Sequence, residues 1–190
     1  ESGGVPPEIQ LDVVDAAQAS GSPALLARLE AYRRARNAPS VAGAFRDALL
    51  AGGSAARCRQ VFAEHPAAAC TRCHAIGDGG SDVGPNLTRI GAAVARPVLL
   101  EALLEPNARI APGFGTVSVT LRSGERIDGT LREETATELV LATGTPAAAR
   151  RIPKETIATR SNPVSSMPPF GQILTLREIR DLVEFLSSLR

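Results

Sequence analysis

The chain has 190 residues, 44% hydrophobic and 22% charged, which is enough to bury a core and too apolar for a disordered polypeptide. Its net charge of +1, from 21 basic and 20 acidic side chains, argues against a general electrostatic attraction to nucleic acid or to an anionic membrane surface. Aromatic residues make up 3%, with no Trp and a single Tyr32, so a core of Leu, Val, Ile and Ala would gain from a large flat apolar group.

In chain order, "PPEIQLDVVDAAQAS" reads as a first helix, with Pro7 in its opening turn and Ile9 and Val13 on one face. "GSPALLARLEAYRRARN" reads as a second, with Ser22 as N-cap, Pro23 at the first helical position, and Leu25, Leu26, Leu29 and Tyr32 on one face. The basic run Arg28 to Arg36 fits a solvated face of that helix. The two helices have the form of one unit of a helical-repeat array, a terminal repeat or a docking cap over residues 1–52. "AARCRQVFAEH" is a short helix that leads into "AAACTRCHAIG", followed by the Gly- and Asp-rich loop "IGDGGSDVGPNL". "RPVLLEALLEPNA" is an apolar helix that ends before Pro106.

The period then changes from helical to alternating. Val117, Val119 and Leu121, a turn at "RSGE", then Ile127, Gly129 and Leu131 follow the pattern of a β-hairpin. "ELVLAT" and "ARRIPKETIAT" extend it into a small antiparallel, SH3-like unit over residues 113–163. The last segment, "TLREIRDLVEFLSSLR", opens with a Thr175/Glu178 capping box. Leu176, Ile179, Leu182, Val183, Leu186 and Leu189 recur along it at helical spacing.

Cys70, Cys73 and His74 carry the chemistry. A structural zinc site needs four ligands, usually from two clusters, and the chain has three Cys and two His with no second cluster. A thioredoxin-like dithiol sits at a strand-to-helix turn, and no strand is predicted before Cys70. Cys-x-x-Cys-His is the attachment pattern of c-type haem, in which two thiols add across the vinyl groups and the next imidazole meets the iron.

The order "SAARCRQVFAEH", "CTRCH", "VGPNL", "RPVLLEALLEP", "SSMPPFG", "TLREIRDLVEFLSSL" resembles class I cytochromes c. The resemblance implies a mainly α, cytochrome c-like helical haem domain over residues 53–190. It would carry the small β insertion at 113–163 and follow the N-terminal helical pair. It further implies one covalent haem c per chain, with Cys70 and Cys73 as thioether anchors, His74 as proximal ligand, a hydrogen bond from the His74 ring to the Pro85 carbonyl, and Met167 as distal ligand. Met167 is the only methionine. His65, five residues before Cys70, reads as a surface histidine rather than a ligand. Arg72 and Arg89 are the candidates nearest in sequence for meeting the haem propionates.

Cys58 stands where the family usually has Gly, at the crossing of the first and last helices. It is expected to be buried there against Phe185, the alternative being a disulfide, including one between two chains. "CTRCHAIGDGGSDVGPNLTRIG", "LLEALLEPNARIAPGFGTVSVTLRSGERIDGTL" and "IPKETIATRSNPVSSMPPF" are further similar to a haem-binding domain at the C-terminus of large exported proteins of planctomycetes and related bacteria. Those proteins often carry a dehydrogenase-like propeller and helical repeats upstream.

The function expected from this resemblance is single-electron transfer, without catalysis by the chain itself. Electrons would come from an upstream dehydrogenase domain or a partner protein. The alternative is a haem-based sensor or ligand-binding domain in which Met167 is displaceable. No dinucleotide fingerprint, catalytic triad or paired carboxylate site is visible. The β unit would serve as a spacer, a docking surface for a redox partner or a lever on the Met167 loop. No segment is apolar and long enough to span a bilayer. No signal peptide is seen, and a chain beginning at Glu1 reads as a mature product or an excised piece. Attachment through two thioethers implies maturation outside the cytoplasm, hence a periplasmic or otherwise exported location.

Overall fold

The computed structural model describes residues 4–6, 9–35, 45, 47–48, 50, 52, 55–144 and 148–190, and of residues 55, 56 and 58 the backbone alone. Its helical part converges on the last helix, α6 (Leu176–Ser188). The Thr175 hydroxyl accepts from the Glu178 amide at 3.3 Å, and the Glu178 carboxylate accepts from the Thr175 amide at 2.8 Å. Two of the donors that a helix start leaves open are thereby satisfied. Ile179, Leu182, Val183, Phe185 and Leu186 are buried along α6.

Helix α3 (Ala55–Glu64) crosses α6 with the Phe62 and Phe185 rings 5.7 Å apart and inclined at 57°, a favourable tilted aromatic pair. Helix α5 (Arg96–Leu104) lays Leu99, Leu100 and Leu103 into the same core. It stops at Leu104, because Pro106 disfavours a helical residue before it and cannot itself donate. The four-residue helix α4 (Ile90–Ala93) completes this layer.

The N-terminal pair, α1 (Gln10–Ala19) and α2 (Pro23–Ala35), buries a stripe that shares only Leu29 with the one expected. Leu11, Val14 and Leu29 close on Leu50, whereas Ile9, Val13, Leu25, Leu26 and Tyr32 stay exposed. Leu11 and Val14 are three apart and share a helix face, and that face, one residue round from Ile9 and Val13, is the one α2 covers. The expectation for Pro7 lies outside the described residues.

The sheet overturns the expected fold class. Among the described residues there are six α-helices and a six-stranded antiparallel sheet, so the chain has a mixed α and β fold rather than a mainly α, cytochrome c-like one. The strands are β1 (Gly115–Leu121), β2 (Arg126–Glu134), β3 (Glu138–Thr143), β4 (Ala148–Pro153), β5 (Ile157–Arg160) and β6 (Val164–Ser165). Their order is β4-β3-β2-β1-β5, with β6 also on β1.

The physical reason is that this sheet is no appendage. It buries its own aliphatic core of Val117, Val119, Ile127, Leu139, Leu141 and Ile152, each contributing about 1.5–3 kcal/mol. The alternation expected for β1 is present, and the first hairpin turns through Gly124, whose φ of 90° suits glycine.

Candidate functional site

The cysteine motif is positioned from its N-terminal side by His65. Its Nδ1 accepts from the Ala67 and Ala68 amides at 3.3 and 3.0 Å, so the ring proton of the neutral form sits on Nε2, 3.7 Å from Glu178 Oε1. His65 is therefore a half-buried residue that closes the end of α3 and steers the chain into the motif, not a freely solvated one. The Ala69 amide, bonded to the His65 carbonyl at 2.9 Å, then enters the left-handed region with φ 43°. Ala69 is the one described non-glycine residue with positive φ, a conformation that costs about 1–2 kcal/mol for an L-residue.

That reversal launches a single 3-10 turn, Cys70–Arg72. The Cys70 carbonyl accepts from both the Cys73 and the His74 amide, at 3.1 and 2.9 Å, winding the three expected site residues about one oxygen. Cys70 and Cys73 carry free thiols. Cys73 is exposed, whereas Cys70 is buried in the helical core, and this burial pushes its thiol up to about 11.

His74 Nδ1 lies 2.8 Å from the Pro85 carbonyl oxygen. A carbonyl only accepts, so Nδ1 carries the proton and Nε2 keeps its lone pair. Sequence reasoning missed the neighbour that makes this contact possible. A Cβ on Gly84 would stand 2.8 Å from His74 Cε1 and 3.0 Å from Nδ1, so any other residue would displace the ring. The loop folds back on the motif through three further bonds: Gly84 amide to Cys73 carbonyl at 2.5 Å, Leu87 amide to Ala75 carbonyl at 2.8 Å, and Gly77 amide to Thr88 hydroxyl at 2.8 Å. A glycine beside Pro85 and the Asn86–Thr88 turn were the available signals.

Met167 is half-buried and packs on the cluster that contains Cys70, Leu87, Leu99 and Phe170. The fold thus brings Cys70 and Met167, nearly 100 residues apart in sequence, onto one apolar core. Arg72 and Arg89 are both exposed. Cys58 lies on α3, and its expected packing against Phe185, like the alternative disulfide, falls outside the described residues.

These residues fit a c-type haem. Two unbridged thiols, an imidazole whose Nδ1 is engaged by Pro85, and a thioether packed on the same apolar core as Cys70 are the donor types that group requires. Among the described residues, no cluster of three or more His, Cys, Asp or Glu side chains could hold a bare metal ion.

A separate cleft of about 480 Å³ between α3 and α6 is lined by Arg57, His65, Arg177, Arg180 and Asp181 among others, and not by the motif. Its floor is the buried pair Arg180–Asp181, which the helical pattern of α6 did not announce. Arg180 Nε and Nη2 donate to Asp181 Oδ1 at 3.1 and 2.7 Å. No helix of the described residues is long and apolar enough to cross a membrane. No protein-family model matches the chain, and comparison with curated proteins finds no match.

Proposed function

We propose that this chain is a single-electron carrier holding one covalent haem c, anchored at Cys70 and Cys73 and ligated by His74 and Met167. The observation that carries the reading is the fixed ring of His74, the residue directly after the second cysteine, with Nδ1 bound to Pro85 and Nε2 left for a metal. When bound, haem would supply reversible one-electron exchange at its iron.

The chain's own residues do the rest. Pro85 holds the proton on Nδ1 and so fixes the tautomer and strengthens the imidazole as a donor. Gly84 leaves the room that this ring position requires. Met167 offers a soft thioether, which favours the reduced metal and raises its potential. Leu87, Leu99 and Phe170 keep water from that side of the core. With His74 and Met167 both given to the iron, no coordination position would remain for substrate, and on this reading the chain itself would transfer electrons without catalysing a reaction.

Electrons would then be exchanged with a partner protein or an upstream dehydrogenase domain. Attachment through two thioethers places maturation in the periplasm or another exported compartment.

The test is the ferrous spectrum before and after carbon monoxide, for wild type and Met167→Ala made in a haem-maturing, export-competent host. A wild type that ignores the gas and a variant that binds it support the carrier. A wild type that binds it readily transfers the reading to a ligand-binding or sensor domain with a displaceable Met167. Absence of covalent haem from wild-type protein would sink both.

A further inference from the structure

The sheet and the methionine are joined by more than chain connectivity. Strand β6 pairs with β1, Ser165 opposite Gly115 and Val164 opposite Thr116, and it ends two residues before Met167. The Ser165 amide does not spend itself on the sheet; it donates to Asn107 Oδ1 at 2.8 Å. Asn107 belongs to the turn that follows α5, so this bond ties the methionine strand to the helical layer as well. Thr116 and Ser166 join hydroxyls at 3.2 Å, and the Met167 amide donates to the Ser165 hydroxyl at 3.2 Å.

Beyond the methionine, Pro168 restricts Met167 to extended conformations, and Phe170 is buried in the helical core. Met167 is therefore held in the six-residue span Ser165 to Phe170, two residues from one anchor and three from the other. The fit is close upstream too: a Cβ on Gly115 would lie 2.7 Å from Pro163 Cβ, just before β6.

The geometry points to the sheet as the element that positions Met167, with Asn107 and Gly115 as the positioning residues, an inference that rests on the haem reading given above. In this arrangement β1 is a rail against which β6 is set, and Asn107 is the clip that fixes β6 to the helices. Of the three roles open to the β unit, the contacts favour the lever on the methionine loop.

The experiment compares the haem-loaded full chain with Asn107→Ala, Asn107→Asp and Gly115→Ala. Thr175→Ala serves as a control that weakens α6 without touching the loop. Carbon monoxide binding to the ferrous protein and the midpoint potential are measured for each.

Asn107→Ala removes one exposed hydrogen bond, and about a fivefold rise in the fraction of protein open to carbon monoxide is expected, with a fall in potential. Gly115→Ala forces Pro163 and β6 aside and is expected to open the site further. Asn107→Asp keeps the acceptor and should stay near wild type. A wild type closed to the gas with Asn107→Ala and Gly115→Ala equally closed overturns the lever and leaves the carrier standing. Opening of Thr175→Ala to the same extent as Asn107→Ala also overturns it, since general softening would then explain the effect. A wild type that is itself open overturns both readings.

Discussion

The helical layer and the sheet are stabilised in different ways. The sheet closes on six fully apolar side chains, and the charge pairs outside it, such as Arg150–Glu125 and Arg160–Glu134, are largely solvent-exposed and individually worth little. The helical layer instead admits groups that a core ordinarily excludes: the ion pair Arg180–Asp181, the thiol of Cys70 and a half-buried Met167. A sheet that acts on its neighbours through its edge and backbone can fill its interior with Leu, Val and Ile. On the haem reading, the layer that holds the group keeps polarisable and ionisable side chains, and its local geometry carries the strain seen at Ala69.

The strongest way to break this contrast is the double substitution Cys70→Ala/Cys73→Ala. Covalent haem, read by peroxidase staining of a denaturing gel, is expected to vanish, while hydrogen exchange in β1 to β4 stays at its wild-type level. Sheet protection that collapsed together with the haem would show that the two regions are not independent.

Asp181→Ala comes next. It strands the Arg180 guanidinium in a nearly dry site, and a loss of about 3–5 kcal/mol is expected in denaturant unfolding. A cost below about 1 kcal/mol would mean that water reaches Arg180.

Leu141→Ala, at a position with 0% exposure, sharpens the comparison from the sheet's side. About 2–5 kcal/mol should be lost, with exchange rising in β2, β3 and β4, and haem attachment should persist.

A smaller effect, about 1 kcal/mol, is expected of Thr175→Ala, which removes the α6 cap. This one has a pH signature. The Thr175 backbone amide, opposed by desolvation and helped by the Thr175 hydroxyl and by His65, holds the Glu178 carboxyl below the usual carboxylate range. A carboxyl lowered in the folded state stabilises above its unfolded value, near 4.3, and that stability is lost as pH falls through the lowered value. Thr175→Ala keeps the backbone amide and removes only the hydroxyl's share, so the acid limb of the stability profile should flatten only slightly.

Cys70 has the opposite sign, in protein prepared without haem. Its thiol is raised from 9.0 to about 11, chiefly by burial, so stability present below 9 should decline as pH rises toward 11. Cys70→Ala should remove that alkaline decline, and calorimetry across this interval would detect its persistence.

Much of the local structure was legible because its signals are short-range. Thr175 with Glu178, Pro106 after α5, and Gly124 in the hairpin each act on their immediate neighbours. The harder features depend on what packs where. The N-terminal helices had apolar residues to bury on more than one face, and only the position of Leu50 selects Leu11, Val14 and Leu29. The α6 stripe carries no signal that Arg180 is buried, because that depends on its guanidinium folding back onto Asp181.

The alternation announces β1 to β5, whereas β6 falls beyond the expected 113–163, and the sheet is more than an insertion because a sequence lists strands without saying whether their inner faces meet in a core. At the site, the Cys-x-x-Cys-His spacing was plain. The Gly84 clearance, the His65 turn and the Asn107 clip were not, since each depends on residues brought close by a loop.

Chain order has a further consequence. Cys70, Cys73 and His74 precede every described strand, and Met167 follows them all. During synthesis from the N-terminus, the pentapeptide Cys70–His74 therefore emerges while the sheet is still missing. The sheet's successive hairpins form later from near neighbours and close without long waits. The methionine strand finds its place only once β1 exists, so on the haem reading attachment and final ligation would be separated in time. On the haem reading, the newly loaded domain passes through an interval with one axial ligand, and the folding time of the sheet sets how long that interval lasts.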